Sequence, residues 1–249
     1  KIETIRQNYN KSNEISFFWL CNLMEKIKNK KRREEKKQIV ENALKEKSLG
    51  PPQNIFPILR LIIPSEDRKR NCYRIGTEYI TEHHIIKDAI RIDSKYEHSL
   101  KYRRSNLHGD FFETWEKTFA KDHCSPKSTQ TIGDTNNLLD TLFNKRLHLQ
   151  DFISEICSKY TNTEQKWLLR ILFKKVKIGF AIVSCLELLN KNARSLWNRN
   201  MDFEMIVEQI CNNEIQKCFR LFTRISPMLV KDYKKGSISG KCIIEEKMA

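Results

Sequence analysis

From Ile15 to Ile27 apolar residues recur every three or four positions, with Phe17, Leu20, Leu23, Met24 and Ile27 on one face and Phe18 and Trp19 widening it. That spacing predicts an amphipathic helix packed on a core. The first twelve residues are polar and are expected to fray. A second helix is predicted from Arg33 to Lys47, ended by Gly50-Pro51-Pro52, a sequence that cannot continue a helix. Asn54–Ile63 is a compact apolar segment closed by Pro64, and Gly76–Ile90 has the pattern of another amphipathic helix. Lys95–Gly109 is polar and turn-like and is expected to be a loop, with a short helix over Phe111–Phe119. Thr131 is placed to cap a helix running through Asn144, with Ile132, Leu138, Leu139 and Leu142 inward, and Arg146–Tyr160 follows as a further helix.

The strongest helical signal starts at Thr161. Thr161-Asn162-Thr163-Glu164 fits the capping box, in which hydroxyl and carboxylate each satisfy the other residue's free main-chain N–H. Trp167, Leu168, Ile171, Leu172 and Val176 then form an apolar stripe, with Lys166, Arg170, Lys174 and Lys177 alternating around it. Gly179 is expected to break this helix, Ala181–Leu189 to start a new one, and Asp202–Ile210 another. Beyond Pro227 the texture changes. Lys234-Lys235-Gly236-Ser237 is linker-like and Cys242-Ile243-Ile244 has strand character. The expected organisation is a frayed 1–14, a helical domain over 15–229, a linker over 230–241, and the opening of another domain at 242–249. Seven glycines and six prolines in 249 residues are too few for the frequent turns of an all-β fold. The fold class is therefore read as all-α.

Charge sharpens this picture. Lys plus Arg number 46 against 31 Asp plus Glu, a formal charge of +15, while 39% hydrophobic residues and a mean hydropathy of −0.60 mark a globular chain. No stretch reaches the roughly eighteen apolar residues that a membrane-spanning helix needs. A large positive surplus favours a polyanionic partner, because each neutralised phosphate releases condensed counterions; a solvated basic surface is the competing explanation. Taken alone, Lys26–Lys37, with Lys26, Lys28, Lys30, Lys31, Arg32, Arg33, Lys36 and Lys37 against Glu34 and Glu35, reads as such a solvated surface.

Lys174-Lys175-Val176-Lys177-Ile178-Gly179 is more specific. Lysines end one helix, a glycine permits a tight turn, and a new helix begins at once, presenting N–H groups to which a phosphate can come close. Such a turn holds a duplex backbone without reading bases. Arg170, Lys174, Lys175, Lys177 and Gly179 are the candidate contacts. Other motifs fail. Gly236-Ser237-Ile238-Ser239-Gly240-Lys241 lacks P-loop spacing, no glycines are spaced G-x-G, and His83-His84, His108, His123 and His148 have no metal-ligand spacing. Eight scattered cysteines without a C-x-x-C pair are expected to be buried reduced thiols, and no metal site is expected.

Several segments together resemble the eukaryotic ATP-dependent DNA ligases. Ile55-Phe56-Pro57-Ile58-Leu59-Arg60-Leu61-Ile62-Ile63-Pro64, then Asp67-Arg68-Lys69-Arg70 and Tyr73-Arg74-Ile75, resembles their early DNA-binding region. Glu164–Leu172 running to Lys177-Ile178-Gly179 is similar to their helix and phosphate-binding turn, and Ser226-Pro227-Met228-Leu229 to the close of that domain. Phe17-Phe18-Trp19-Leu20-Cys21 through Glu25-Lys26-Ile27, with Gly109-Asp110-Phe111, is most similar to the end-joining branch, DNA ligase IV. The resemblance runs from about Ile15 to the C-terminus. It implies an all-α DNA-binding domain that clamps a duplex nick or end, a second contact patch at Arg68, Arg70 and Arg74, and a nuclear role in double-strand break repair by non-homologous end joining.

Glu245-Glu246-Lys247-Met248 is similar to the opening of the family's K-x-D-G motif. There the lysine takes AMP from ATP as a phosphoramidate, and Mg²⁺ assists transfer to DNA. The resemblance assigns Lys247 that role, with Glu245, Glu246 and Met248 beside the nucleotide. Ala249 stands where the Asp belongs, so this chain is expected neither to bind ATP nor to ligate by itself, and to be a fragment of the family enzyme. Two other readings stay open. One is a helical interaction module whose Phe17, Phe18 and Trp19 take a partner peptide, as the resemblance suggests for the nuclease Artemis. The other is the nonfunctional product of a truncated ligase gene.

Overall fold

A computed structural model of the chain describes residues 11–49, 52–70, 110–144, 146–190, 193–200, 202–210 and 212–213. The chain divides into two compact units, Lys1–Val207 and Glu208–Ala249. In the second, the described residues 208–210 and 212–213 are helical. The expected helix at Gly76–Ile90, the loop at Lys95–Gly109, the linker, the strand-like Cys242–Ile244 and the residues Arg74, Glu245, Glu246, Lys247 and Met248 lie outside the described residues.

The first unit is all-α, as expected. Its helices are α1 (Phe17–Lys28), α2 (Arg33–Glu46), α3 (Pro52–Ile62), α4 (Phe111–Lys117), α5 (Phe119–Asp122), α6 (Ile132–Phe143), α7 (Leu149–Lys159), α8 (Asn162–Leu172), α9 (Ile182–Leu189) and α10 (Ala193–Asn200). Residues 203–207 are helical again, and short 3-10 turns lie at Lys11–Glu14, Pro64–Glu66 and Arg68–Arg70. Among the described residues there is no strand, only an isolated antiparallel bridge between Ser16 and Thr131. Its bonds, Phe17 N to Gln130 O at 2.9 Å and Ile132 N to Ile15 O at 2.8 Å, join the starts of α1 and α6.

Local chemistry sets most of these boundaries. The Thr131 and Thr161 hydroxyls each accept from the main chain three residues on, and Asp134 and Glu164 reach back to complete both capping boxes. Ser16 and Asp110 cap α1 and α4 in the simpler one-way manner. Pro57 sits inside α3, where the sequence had shown only an apolar segment. The carbonyl of Pro57 accepts from Asn136 Nδ2 at 3.1 Å, tying α3 to α6. α10 was not anticipated, because Ala193–Asn200 is mostly polar.

α8 is the central helix, packed by α4, α1 and α5. Every residue from Glu164 to Leu172 is buried, Lys166 and Arg170 included. This corrects the expectation that these two basic residues lie outside the apolar stripe. α1 and α4 close over the face that carries them and bring carboxylates to meet them. Trp115 and Trp167 are fully buried on either side, with Trp115 Nε1 donating to Gln165 Oε1 at 3.2 Å.

Candidate functional site

α8 ends seven residues before Gly179. Lys174 takes a left-handed φ of 54°, its N–H bonds Ile171 O at 3.0 Å, and Lys175 N bonds Arg170 O at 2.8 Å. This is the Schellman pair of bonds, with lysine where glycine is usual. The side chains then alternate, Val176, Ile178 and Phe180 being buried while Lys177, Gly179 and Ala181 stay exposed. Lys177 (φ 49°) and Gly179 (φ 63°) are again left-handed, and for a lysine each such turn costs about 1 kcal/mol. Two strained lysines in four residues mark a segment shaped for something other than stability.

Among the described residues, no main-chain N–H from Val176 to Val183 donates a hydrogen bond within the protein. Ala181, at the N-cap of α9, has no side chain to cap the helix where Ser, Asp or Asn would normally sit. The turn thus leaves N–H groups without an acceptor at a helix start, with the exposed Lys177 beside them.

α2 holds this turn from one side. Lys36 Nζ donates to Ile178 O at 2.6 Å and Gly179 O at 3.3 Å. Arg33 Nε donates to Ser184 Oγ at 3.0 Å, and Arg33 and Lys37 pair with Glu187 at 3.2 and 2.7 Å. The Lys37 hydrogen bond holds the Glu187 carboxyl below its ordinary range and the Lys37 ammonium above its own.

α1 and α4 hold it from the other side. Arg170, 1% exposed, pairs with Asp110 at 2.9 Å and Glu113 at 3.1 Å, and donates to Lys175 O at 3.3 Å. Lys28 reaches the same Glu113 at 2.5 Å. Lys166 meets Glu116 at 2.8 Å and also pairs with Glu25, which accepts in addition from Trp167 Nε1. Burial pushes the Glu113 carboxyl up, but the Lys28 hydrogen bond and the nearby Lys166 and Arg170 charges outweigh it and leave the pKa lowered. Burial likewise disfavours the Lys166 ammonium, and Glu116 and Glu25 more than reverse that.

The structure therefore corrects two of the candidate contacts. The Arg170 guanidinium is a strut between α8, α4 and the turn, and it cannot reach a phosphate outside. Arg70 is 1% exposed, bonded to Asp140 Oδ1 at 2.8 Å and to Asn136 Oδ1 at 2.8 Å. Asp140 also takes Arg60, which in turn meets Asp67 at 2.7 Å. Of the second patch, Arg68 is exposed, and its neighbour Lys69 pairs with Glu204 at 2.6 Å. Lys174, Lys175, Lys177 and Gly179 do come together in one turn.

Sequence reasoning missed Lys36 and the neighbouring link 29–32. Lys28 is tethered to Glu113 on α4 and Arg33 to Ser184 on α9, and the exposed Lys30, Lys31 and Arg32 lie on the link between these tethers. Their charge was plain in the sequence; their placement required the fold. Among the described residues no group of three His, Cys, Asp or Glu side chains could hold a metal, and no helix is long and apolar enough to cross a membrane.

An all-α unit is the architecture expected of a ligase's N-terminal domain, and comparison shows that family. The family model described as DNA ligase N terminus matches residues 16–190, and the chain belongs to that family. Within it, the chain is similar to DNA ligase 4. The protein of that name from Homo sapiens is 26% identical over 247 residues, covering 88% of this chain and 26% of the relative. That from Coprinopsis cinerea is 24% identical over 256 residues (93% and 25%), and that from Arabidopsis thaliana 25% over 207 residues (79% and 17%). The chain spans about a quarter of the length of the first two relatives.

Proposed function

We propose that this chain binds duplex DNA without base specificity, as the N-terminal domain of a DNA ligase 4-like enzyme that seals breaks by end joining in the nucleus. The observation that carries the reading is the turn 174–181. It is the one place in the described unit where left-handed lysines, an uncapped helix start and undonated N–H groups coincide. Lys174, Lys175 and Lys177 supply charge, and the left-handed φ of Gly179 lets the main chain turn its N–H groups toward a phosphate oxygen. Arg68 is a second contact of the same kind. Arg74, and the adenylation role the resemblance gives Lys247 with Glu245, Glu246 and Met248 around ATP and Mg²⁺, rest on the resemblance alone.

The test is fluorescence anisotropy with two nicked duplexes of unrelated sequence across a salt series. Equal affinities are expected, with log K falling by about 0.9 per phosphate contact for each decade of salt. Lys177→Glu should weaken both duplexes alike. No binding at low salt overturns the reading, and an effect confined to one sequence overturns backbone recognition.

One observation favours a second reading beside this one. Phe17 is fully buried, but Phe18 is 39% exposed and Trp19 half-buried beneath Lys47. The outward edge of α1 can take an apolar partner peptide, of the kind the resemblance assigns to an Artemis-like nuclease. Peptide binding at this edge would survive high salt, where DNA binding would not.

A further inference from the structure

We propose that Lys36 is a positioning residue of the anion site, a buried cation that holds the turn 176–181 outward and supplies positive charge from directly beneath it. The inference rests on the DNA-binding reading and assigns a role to a residue on a different helix.

Lys36 is 8% exposed, in the first turn of α2 on the buried side it shares with Val40 and Leu44. A buried ammonium is normally met by a carboxylate. Here, among the described residues, no carboxylate lies within ion-pairing distance of Nζ. Its partners are two carbonyls, Ile178 O and Gly179 O. The neighbouring cations Arg33 and Lys37 are both partnered by Glu187, so the missing counter-charge is specific to Lys36.

Two consequences follow from this geometry. The carbonyls of 178 and 179 are drawn inward by the ammonium, which leaves the other side of those peptide units for the open N–H groups. The net positive charge left under the turn is then neutralised only when an anion arrives above it. The chemistry that fits is a phosphodiester oxygen, singly charged and able to accept several N–H bonds at once. Lys36 would not touch the ligand; it acts through the main chain of Ile178 and Gly179.

The test compares Lys36→Gln and Lys36→Arg with the unaltered chain. Glutamine keeps a donor for the carbonyls but removes the charge; arginine keeps the charge. Duplex affinity is read by anisotropy over a salt series, alongside the urea midpoint. Lys36→Gln is expected to bind about tenfold more weakly, with a salt slope smaller in magnitude by up to about 0.9, and Lys36→Arg to recover most of the affinity. If Lys36→Gln keeps wild-type affinity, or loses affinity with an unchanged slope in step with its urea midpoint, Lys36 is a packing residue and the proposal falls. If Lys36→Gln does not fold, Lys36→Arg decides: with a wild-type midpoint, weak binding and an unchanged slope it overturns the proposal, and wild-type affinity and slope support it. Failure of the unaltered chain to bind any duplex at low salt instead overturns the DNA-binding reading itself.

Discussion

The Lys36 ammonium stands where a side chain on Gly179 would have to go. A β-carbon at Gly179 would lie 2.5 Å from Nζ, and the φ of +63° at that residue already disfavours any L side chain. The left-handed backbone requires the glycine, and a β-carbon there would also displace the flexible end of Lys36. Gly179→Ala is expected to lower stability by about 1–2 kcal/mol from the left-handed backbone alone, and to push the ammonium off the turn. Urea unfolding reads the first effect. A salt series of duplex binding reads the second, as an affinity several-fold lower. A variant as stable and as tight as the parent would show that the two residues do not meet in solution.

The buried arginines separate scaffold from interface. Arg70→Met would leave Asp140 and Asp67 with Arg60 alone, and Arg170→Met would leave the half-buried Asp110 and Glu113 short of a partner. Each variant loses a buried, multiply bonded guanidinium, so both should unfold at lower urea, by about 1–3 kcal/mol. Lys177→Ala, at an exposed position, should leave the urea midpoint nearly unchanged while weakening duplex binding. Equal loss of stability in all three would contradict the division drawn here.

These arginines also show what a sequence can and cannot disclose. The capping box at Thr161, the N-cap at Thr131, the ends of α1, α2, α6 and α9 to within one or two residues, and the cationic turn were legible, because each rests on residues within a few positions of one another. The burial of Arg170 was not. On α8 it occupies the place of an outward basic residue, and only the closure of α4, with Asp110 and Glu113, turns it into an internal strut. Lys36 is the same case at a separation of 142 residues from Ile178. Periodicity identifies a face, but it does not reveal whether a second helix with matching charge will cover it.

Acid should loosen the bundle through the same pairs. Burial pushes the Asp140 carboxyl up, but bonding to Arg70 and Arg60 outweighs it, so its pKa lies below the ordinary 3.8; Glu113 likewise lies below 4.5. Above those ordinary values both folded and unfolded carboxyls are ionised, and the full stabilisation is present. As pH falls through about 4 the unfolded chain takes up protons first, so stability declines until the folded carboxyls are protonated too. Urea midpoints measured between about pH 6 and 3 should show this decline, and Asp140→Asn should flatten it from a lower starting stability. A wild-type midpoint independent of pH in that range would contradict the ion-pair assignments.

Thiol chemistry tests the packing independently. Burial pushes the Cys21 and Cys185 thiols well above their ordinary range, and raises Cys157 to about 12. Only the thiolate is an effective nucleophile, so brief alkylation at neutral pH should spare Cys21 and Cys185 in the native protein and label them once it is unfolded. Of the four described cysteines, Cys124 and Cys157 are half-buried, and Cys124 should be modified first. Mass spectrometry of the peptides decides the order, and early labelling of Cys21 would mean that α1 is not seated against α8 as described.

The link between α1 and α2 gives the sharpest separation between a solvated basic surface and a binding one. Lys30 and Lys31 are exposed and have no ion pair among the described residues, and Arg32 has only a loose 4.0 Å contact with Glu35. Their side chains contribute little to folding, so replacing all three by serine should move the urea midpoint by no more than about 0.5 kcal/mol equivalent. If the link only carries solvated charge, duplex affinity will also stay put. If it meets the same duplex as the turn, the salt slope should shrink by about 0.9 for each cation that lies over a phosphate, between one and three in all. A changed slope with an unchanged midpoint is the expected result, because these cations face outward on a link whose flanking residues alone are tied into the bundle.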